Sequence, residues 1–94
     1  MYFVYIMTNP DNKVLYIGFT SDLRKRIYEH KHKFVSGFTE KYNATKCVYY
    51  ETGEDYDGIL AREKQLKNWR REKKVKLIEV KNSDWDDLYN EICD

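Results

Sequence analysis

The sequence predicts an α+β fold, a three-stranded antiparallel β-sheet flanked by helices in the order β-β-α-β-α-α-α. Three observations carry this. Two aromatic and β-branched runs stand close together across a strong turn signal. One further strand-like run follows, too few for a doubly wound parallel sheet. Most of the remaining chain has apolar residues at helical spacing.

The first run is Tyr2 to Thr8, a strand by composition. Asn9-Pro10-Asp11-Asn12 then turns the chain, and Val14 to Gly18 is the second strand, making a β-hairpin. Thr20-Ser21-Asp22 offers N-cap residues, and Leu23, Ile27 and Phe34 follow at helical spacing, for a helix from about Asp22 to His32. Residues 36–45 read as a loop with two aromatic anchors, Phe38 and Tyr42. Cys47 to Glu51 is the third strand. Asp55 or Asp57 caps a long helix from about Tyr56 to Arg71. Lys73 to Val80 has the β-branched content of a strand but also places Val75, Leu77 and Ile78 as a short helix would; helix is preferred. Ser83-Asp84 caps a last helix from about Trp85 to Ile92, with Trp85, Leu88, Tyr89 and Ile92 on one face.

A chain of 94 residues is expected to form one domain, 1–94, with a modest core and little left for a second binding unit. With 41% apolar and 35% charged residues it reads as globular rather than disordered. The net charge of +1 argues against tight nonspecific binding to nucleic acid. The distribution is uneven, however. Arg24 to Lys33 and Arg62 to Lys76 are basic while Asp84 to Asp94 is acidic, so a local basic face is compatible with the neutral total. Two cysteines without a CxxC, no membrane-length apolar stretch and no signal-like start point to a cytoplasmic protein with no membrane contact.

The residues that point to chemistry are polar ones in apolar places. Glu63 lies four after Ile59 and three before Leu66, on the apolar stripe of the long helix. A carboxylate there is costly unless paired with a Lys or Arg at the rim or bound to a cation. Arg26 and His30 are four apart and share a helix face. They are either a solvated basic face or a phosphate-binding guanidinium beside a proton-transferring imidazole. His30 and His32 diverge by about 200° on a helix, which disfavours a shared zinc. Tyr5 and Tyr16 sit near matching positions of the hairpin strands, as a packing pair or as phenols aimed at water or phosphate. Gly18 ends the second strand, where a missing side chain allows close approach.

Taken together, Phe3-Val4-Tyr5 followed by Tyr16-Ile17-Gly18, with Thr20, Asp22-Leu23, Arg26, His30, Glu63, Asn82 and Trp85-Asp86-Asp87-Leu88, resembles the pattern of the GIY-YIG nuclease superfamily. The nearest likeness is to its small single-domain bacterial (URI-type) members. Phe-Val stands here for Gly-Ile, and Ser83 follows Asn82 where a Pro is expected. The resemblance covers nearly the whole chain and implies a metal-dependent phosphodiesterase. By motif position, Tyr5 would polarise the attacking water, Tyr16 would hold water and phosphate, and Arg26 would neutralise the scissile phosphate. His30 would assist proton transfer, Glu63 would hold the metal, and Asn82 would support the site. Contacts to nucleic acid are expected from Gly18, Thr20, Arg24, Lys31 and Lys67.

The implied function is a Mg2+- or Mn2+-dependent DNA endonuclease in repair or processing, of low sequence specificity or directed at DNA structure. It would be a monomer, with a protein partner able to supply specificity. One carboxylate ligand suits a single cation. The competing readings are a nucleic-acid-binding module without turnover, stacking bases on Tyr2, Phe3 and Tyr5, and an interaction domain docking through its acidic C-terminal helix.

Overall fold

The structure, a computed structural model, describes residues 1–93. The hairpin strands are β1 (Tyr2–Thr8) and β2 (Leu15–Thr20), followed by α1 (Leu23–Lys31), a short α2 (Phe38–Lys41) and β3 (Lys46–Gly53). Three further helices close the chain: α3 (Tyr56–Asn68), α4 (Arg71–Lys81) and α5 (Tyr89–Cys93). The sheet is antiparallel, in the order β2-β1-β3. The expected order of strands and helices is present, with α2 added inside the region read as a loop.

Alternation along β1 divides the core into two. Val4 and Ile6 face α3 and α4, where Ile59, Leu66, Ile78 and Trp85 bury against them. Tyr5 and Met7 face the other way, toward Leu23 and Ile27 of α1 and toward Ala44 and Cys47. The central strand is therefore covered on both faces, and its residues from Val4 to Thr8 are all inaccessible to solvent.

Local chemistry fixes the connections. In the hairpin loop Asn9 Oδ1 accepts from the backbone N–H of Lys13 (2.8 Å) and Val14 (3.1 Å), and Asn12 takes a left-handed φ of 58°. The Asp22 carboxylate caps α1 by accepting from Lys25 N at 3.2 Å, and Asp55 caps α3 by accepting from Gly58 N at 3.0 Å.

Two helix boundaries differ from expectation. The long helix stops at Asn68 because Trp69 and Arg70 are extended. That corner places the indole between Arg62 (5.1 Å) and Lys73 (4.2 Å), so cation–π contacts hold the α3–α4 junction. The last helix starts at Tyr89, not Trp85. Residues 85–88 instead hydrogen-bond to β3: Leu88 N donates to Cys47 O (2.8 Å), and Asp87 Oδ1 accepts from Cys47 N (3.2 Å). Trp85 adopts a φ of 58°, costly for a bulky residue, while its ring is buried in the core and its Nε1 donates to Glu79 at 2.9 Å.

Candidate active site

Strand register sets the centre of the site. Tyr5 pairs with Gly18, not with Tyr16, which lies diagonally across on the same sheet face with ring centroids 6.4 Å apart. The reason for glycine is direct. A Cβ at position 18 would lie 2.4 Å from both Cζ and the hydroxyl oxygen of Tyr5. The space left by the missing side chain is filled by the phenol of Tyr5.

The Tyr5 hydroxyl meets His30 Nε2 at 2.9 Å, and His30 Nδ1 meets Thr39 Oγ1 at 3.0 Å. Tyr5 and His30 are both essentially inaccessible, and Thr39 is buried with them. Helix α2, which carries Thr39, thus supplies the third member of a buried Tyr5–His30–Thr39 chain. Nothing in a short Phe-Thr-Glu-Lys run advertised that role. Burial pushes the Tyr5 phenol well above its ordinary value; the neighbouring Tyr16 adds to this, and the Arg26 guanidinium only partly opposes it. Burial, then the charge of Arg26, lowers His30 to about 4. At neutral pH both groups are uncharged, and one imidazole nitrogen donates while the other accepts.

Tyr16 is half-buried and lines an open pocket of about 200 Å3 along the free edge of β2, with Leu15, Ile17, Phe38, Lys67 and Lys74. Arg26, reaching from α1, keeps 40% of its side chain exposed and pairs loosely with Glu29 at 3.4 Å. Glu63 of α3 has only 13% of its side chain exposed, and Lys67, one turn on, approaches its carboxylate at 3.4 Å. The rim pairing weighed from the sequence is thus present. It is a loose contact to an exposed lysine that can swing away.

No cluster of three or more His, Cys, Asp or Glu side chains suited to a metal exists among the described residues. The donor set therefore fits an ion content with one carboxylate, completing its shell with water and phosphate, as Mg2+ does. It does not fit a two-metal cage.

Other expected site residues fall elsewhere. Asn82 caps α4 at the opposite sheet edge: its Nδ2 donates to Val48 O (3.0 Å) and Asp86 O (2.9 Å), and its Oδ1 accepts from Asp86 N (3.0 Å). Every polar atom of that amide is engaged in holding the 82–86 turn on β3, away from the β2 edge. Lys31 donates to Thr45 O (3.1 Å), pairs with Asp87 and covers the Tyr89 ring, tying α1 to the C-terminal segment. The Thr20 hydroxyl is held in a turn, accepting from Asp22 N at 3.0 Å. Arg24 is exposed but lines a separate groove with Phe3, Asp22, Tyr50 and Ile92. Of the five expected nucleic-acid contacts, only Lys67 joins Tyr16.

The fold and this constellation define a nuclease-type domain: a family model described as the GIY-YIG catalytic domain matches residues 1–76. The chain belongs to the GIY-YIG family. It is 36% identical to a UPF0213 protein of Syntrophus aciditrophicus over 81% of this chain and 87% of that protein. It is 32% identical to a UPF0213 protein of Haloquadratum walsbyi over 83% and 86%. The solution NMR structure of a UPF0213 protein from Bacillus halodurans shares the fold, with a TM-score of 0.58, 24% identity and 93% of each chain covered. Among the described residues no helix is long and apolar enough to cross a membrane.

Proposed function

We propose that the protein is a divalent-metal-dependent endonuclease that hydrolyses DNA phosphodiester bonds at the β2 edge. The observation that carries this is the convergence of Tyr16, the Tyr5–His30–Thr39 chain and Arg26 on one sheet face, with Glu63 and Lys67 beside the same edge. Glu63 would hold Mg2+ or Mn2+, which when bound acidifies water and offsets charge on the phosphate. Arg26 and Lys67 supply the remaining positive charge, the guanidinium matching two phosphate oxygens at once. Tyr16, the phenol that reaches the pocket, positions water and phosphate. Tyr5 acts from behind: its buried hydroxyl, fixed by neutral His30, holds the geometry of the site rather than sitting ionised as a base. With a net charge of only +1, the proposed grip on DNA rests on these few local cations rather than on a broad field.

Nicking of supercoiled plasmid and branched DNA in Mg2+ or Mn2+ tests this with wild type, Glu63→Gln, Arg26→Ala and Tyr16→Phe. Metal-dependent cutting by wild type should fall at least about a hundredfold in Glu63→Gln, in line with loss of a charge-stabilising group at a reacting centre. The Glu63–Lys67 pair favours a second reading, a binding module in which that carboxylate is structural. Retained DNA binding by a folded wild type that cuts nothing on any substrate would select it.

A further inference from the structure

The pocket beside Tyr16 continues outward as a row of rings. Tyr16 and Phe38 are near-parallel, with centroids 6.1 Å apart and 24° between planes. Phe38 and Tyr42, four apart at the end of α2, are 4.7 Å apart. Phe38 and Tyr42 are 43% and 44% exposed, high for aromatic residues that already have ring partners. Lys41 lies over the Tyr42 ring at 5.4 Å, while Lys67 and Lys74 line the pocket that Phe38 closes. The row is thus apolar along its faces and cationic along its flank, with no carboxylate among the pocket-lining side chains.

This is the chemistry that takes a nucleic-acid strand whose bases are free. Aromatic faces stack bases irrespective of sequence, and lysines beside them track the phosphates. A base-paired duplex offers its phosphates to such a surface but keeps its base faces covered. Of the rings expected from the sequence to stack, Tyr5 is sealed, Tyr2 packs against Phe19 and Tyr56, and Phe3 lines the separate groove beside Arg24.

We propose that Phe38 and Tyr42 form a stacking platform for unpaired bases next to the phosphate held at Tyr16, making the preferred substrate DNA with an unpaired stretch at the cut. The inference deepens the nuclease reading, since it places the platform one ring away from the proposed reacting phosphate. Helix α2 would then serve two ends: Thr39 anchors His30 inside while Phe38 and Tyr42 select the strand outside.

The test reads binding apart from cutting. Fluorescence anisotropy in EDTA compares a labelled single strand, a duplex with a short gap and a blunt duplex of the same sequence. A 2-aminopurine placed in the unpaired stretch reports stacking by quenching. Wild type should prefer the single-stranded and gapped molecules to the blunt duplex by about tenfold or more and should quench the probe. Tyr42→Ala, at an exposed position, and Phe38→Leu, which keeps apolar volume, should each lower that preference several-fold. Lys41→Ala should weaken all three ligands alike.

Equal affinity for blunt duplex, or quenching retained in Phe38→Leu combined with Tyr42→Ala while circular dichroism is unchanged, overturns the platform. Efficient metal-dependent cutting of blunt duplex without any unpaired preference would sink the platform and leave the nuclease reading standing. Stacking without cutting by wild type in Mg2+ or Mn2+ would do the reverse.

Discussion

Gly18 and Tyr5 form the tightest side-chain constraint in the site. In a strand interior, replacing glycine by alanine would ordinarily stabilise by about 0.5–1 kcal/mol. Here the added Cβ would meet the Tyr5 ring and hydroxyl at 2.4 Å. Overpacking of this kind costs about 1–3 kcal/mol, so the clash decides the sign. Gly18→Ala should lower the urea midpoint, and its effect should be less than additive when combined with Tyr5→Leu. His30 gives a second residue-scale expectation. Burial holds it neutral, at about 4 when folded against an ordinary 6.5. The unfolded chain therefore binds more protons between those values, and stability should rise with pH across that window. The contribution is fully present above about 6.5 and lost as pH falls toward 4. Urea titrations at stepped pH should show an acid-side loss on the order of 2–3 kcal/mol, flattened in His30→Gln. An imidazole signal from His30 titrating near 6.5 would contradict this account. Residue patterning made Tyr5, Tyr16, Arg26 and His30 legible as a group. It did not reveal that Tyr5 is sealed, because whether a phenol is covered depends on which residue lies opposite and on α2.

At the scale of elements, the C-terminal third shows what local patterning misses. Trp85, Leu88, Tyr89 and Ile92 have helical spacing, yet residues 85–88 bind to β3 through Asp87 and Leu88 instead. Long-range hydrogen bonds to an otherwise open sheet edge outweighed helix propensity, which is worth only tenths of a kcal/mol per residue. Asn82 is the hinge of that arrangement. Asn82→Ala removes three hydrogen bonds and strips Val48 O of its side-chain donor, so it should cost about 1–3 kcal/mol of stability. Nicking activity per folded molecule should not change. A variant that stays fully stable but inactive would instead give Asn82 a role in the site. The starts of α1 and α3 match expectation at acidic N-caps, for which local and tertiary preferences agree, and α4 forms over the segment for which helix was preferred to strand. The α3–α4 break lies at Trp69 and Arg70, whose extended backbone no turn residue in that stretch signals, and the Trp69 ring contacts Arg62 and Lys73 across the corner.

The whole molecule carries a charge of only +1, so binding should rest on a few local contacts rather than on a broad field. Lys67 and Lys74 are the cations lining the pocket beside Tyr16. Replacing both with alanine should make the dependence of log affinity for single-stranded DNA on log salt shallower by about 1.4, two phosphate contacts at roughly 0.7 each. An unchanged slope would show that the strand lies elsewhere. The three strands and their antiparallel sheet were readable from composition and turn signals, whereas the central place of β1 and the division of the core into two faces emerge only in the folded chain. The separation of Arg24, Lys31 and Lys67 was not readable either, because a run of basic residues on a helix points in every direction around its axis: Arg24 and Lys67 line different grooves, and Lys31 is taken up by Thr45 and Asp87.

The fit of Tyr5 against Gly18 also bears on how the chain finds its fold. Sliding the hairpin by two residues keeps every side chain on its proper face, so hydrophobic patterning alone does not forbid it. Such a slip would set Tyr5 opposite Tyr16 or Thr20, each carrying side-chain atoms where the ring must lie. Only one alignment leaves a vacancy the size of a phenol. Since His30 and then Thr39 assemble on that phenol, the contact that shapes the site also rejects misaligned hairpins, and chains that mispair are left without a buried partner for α1.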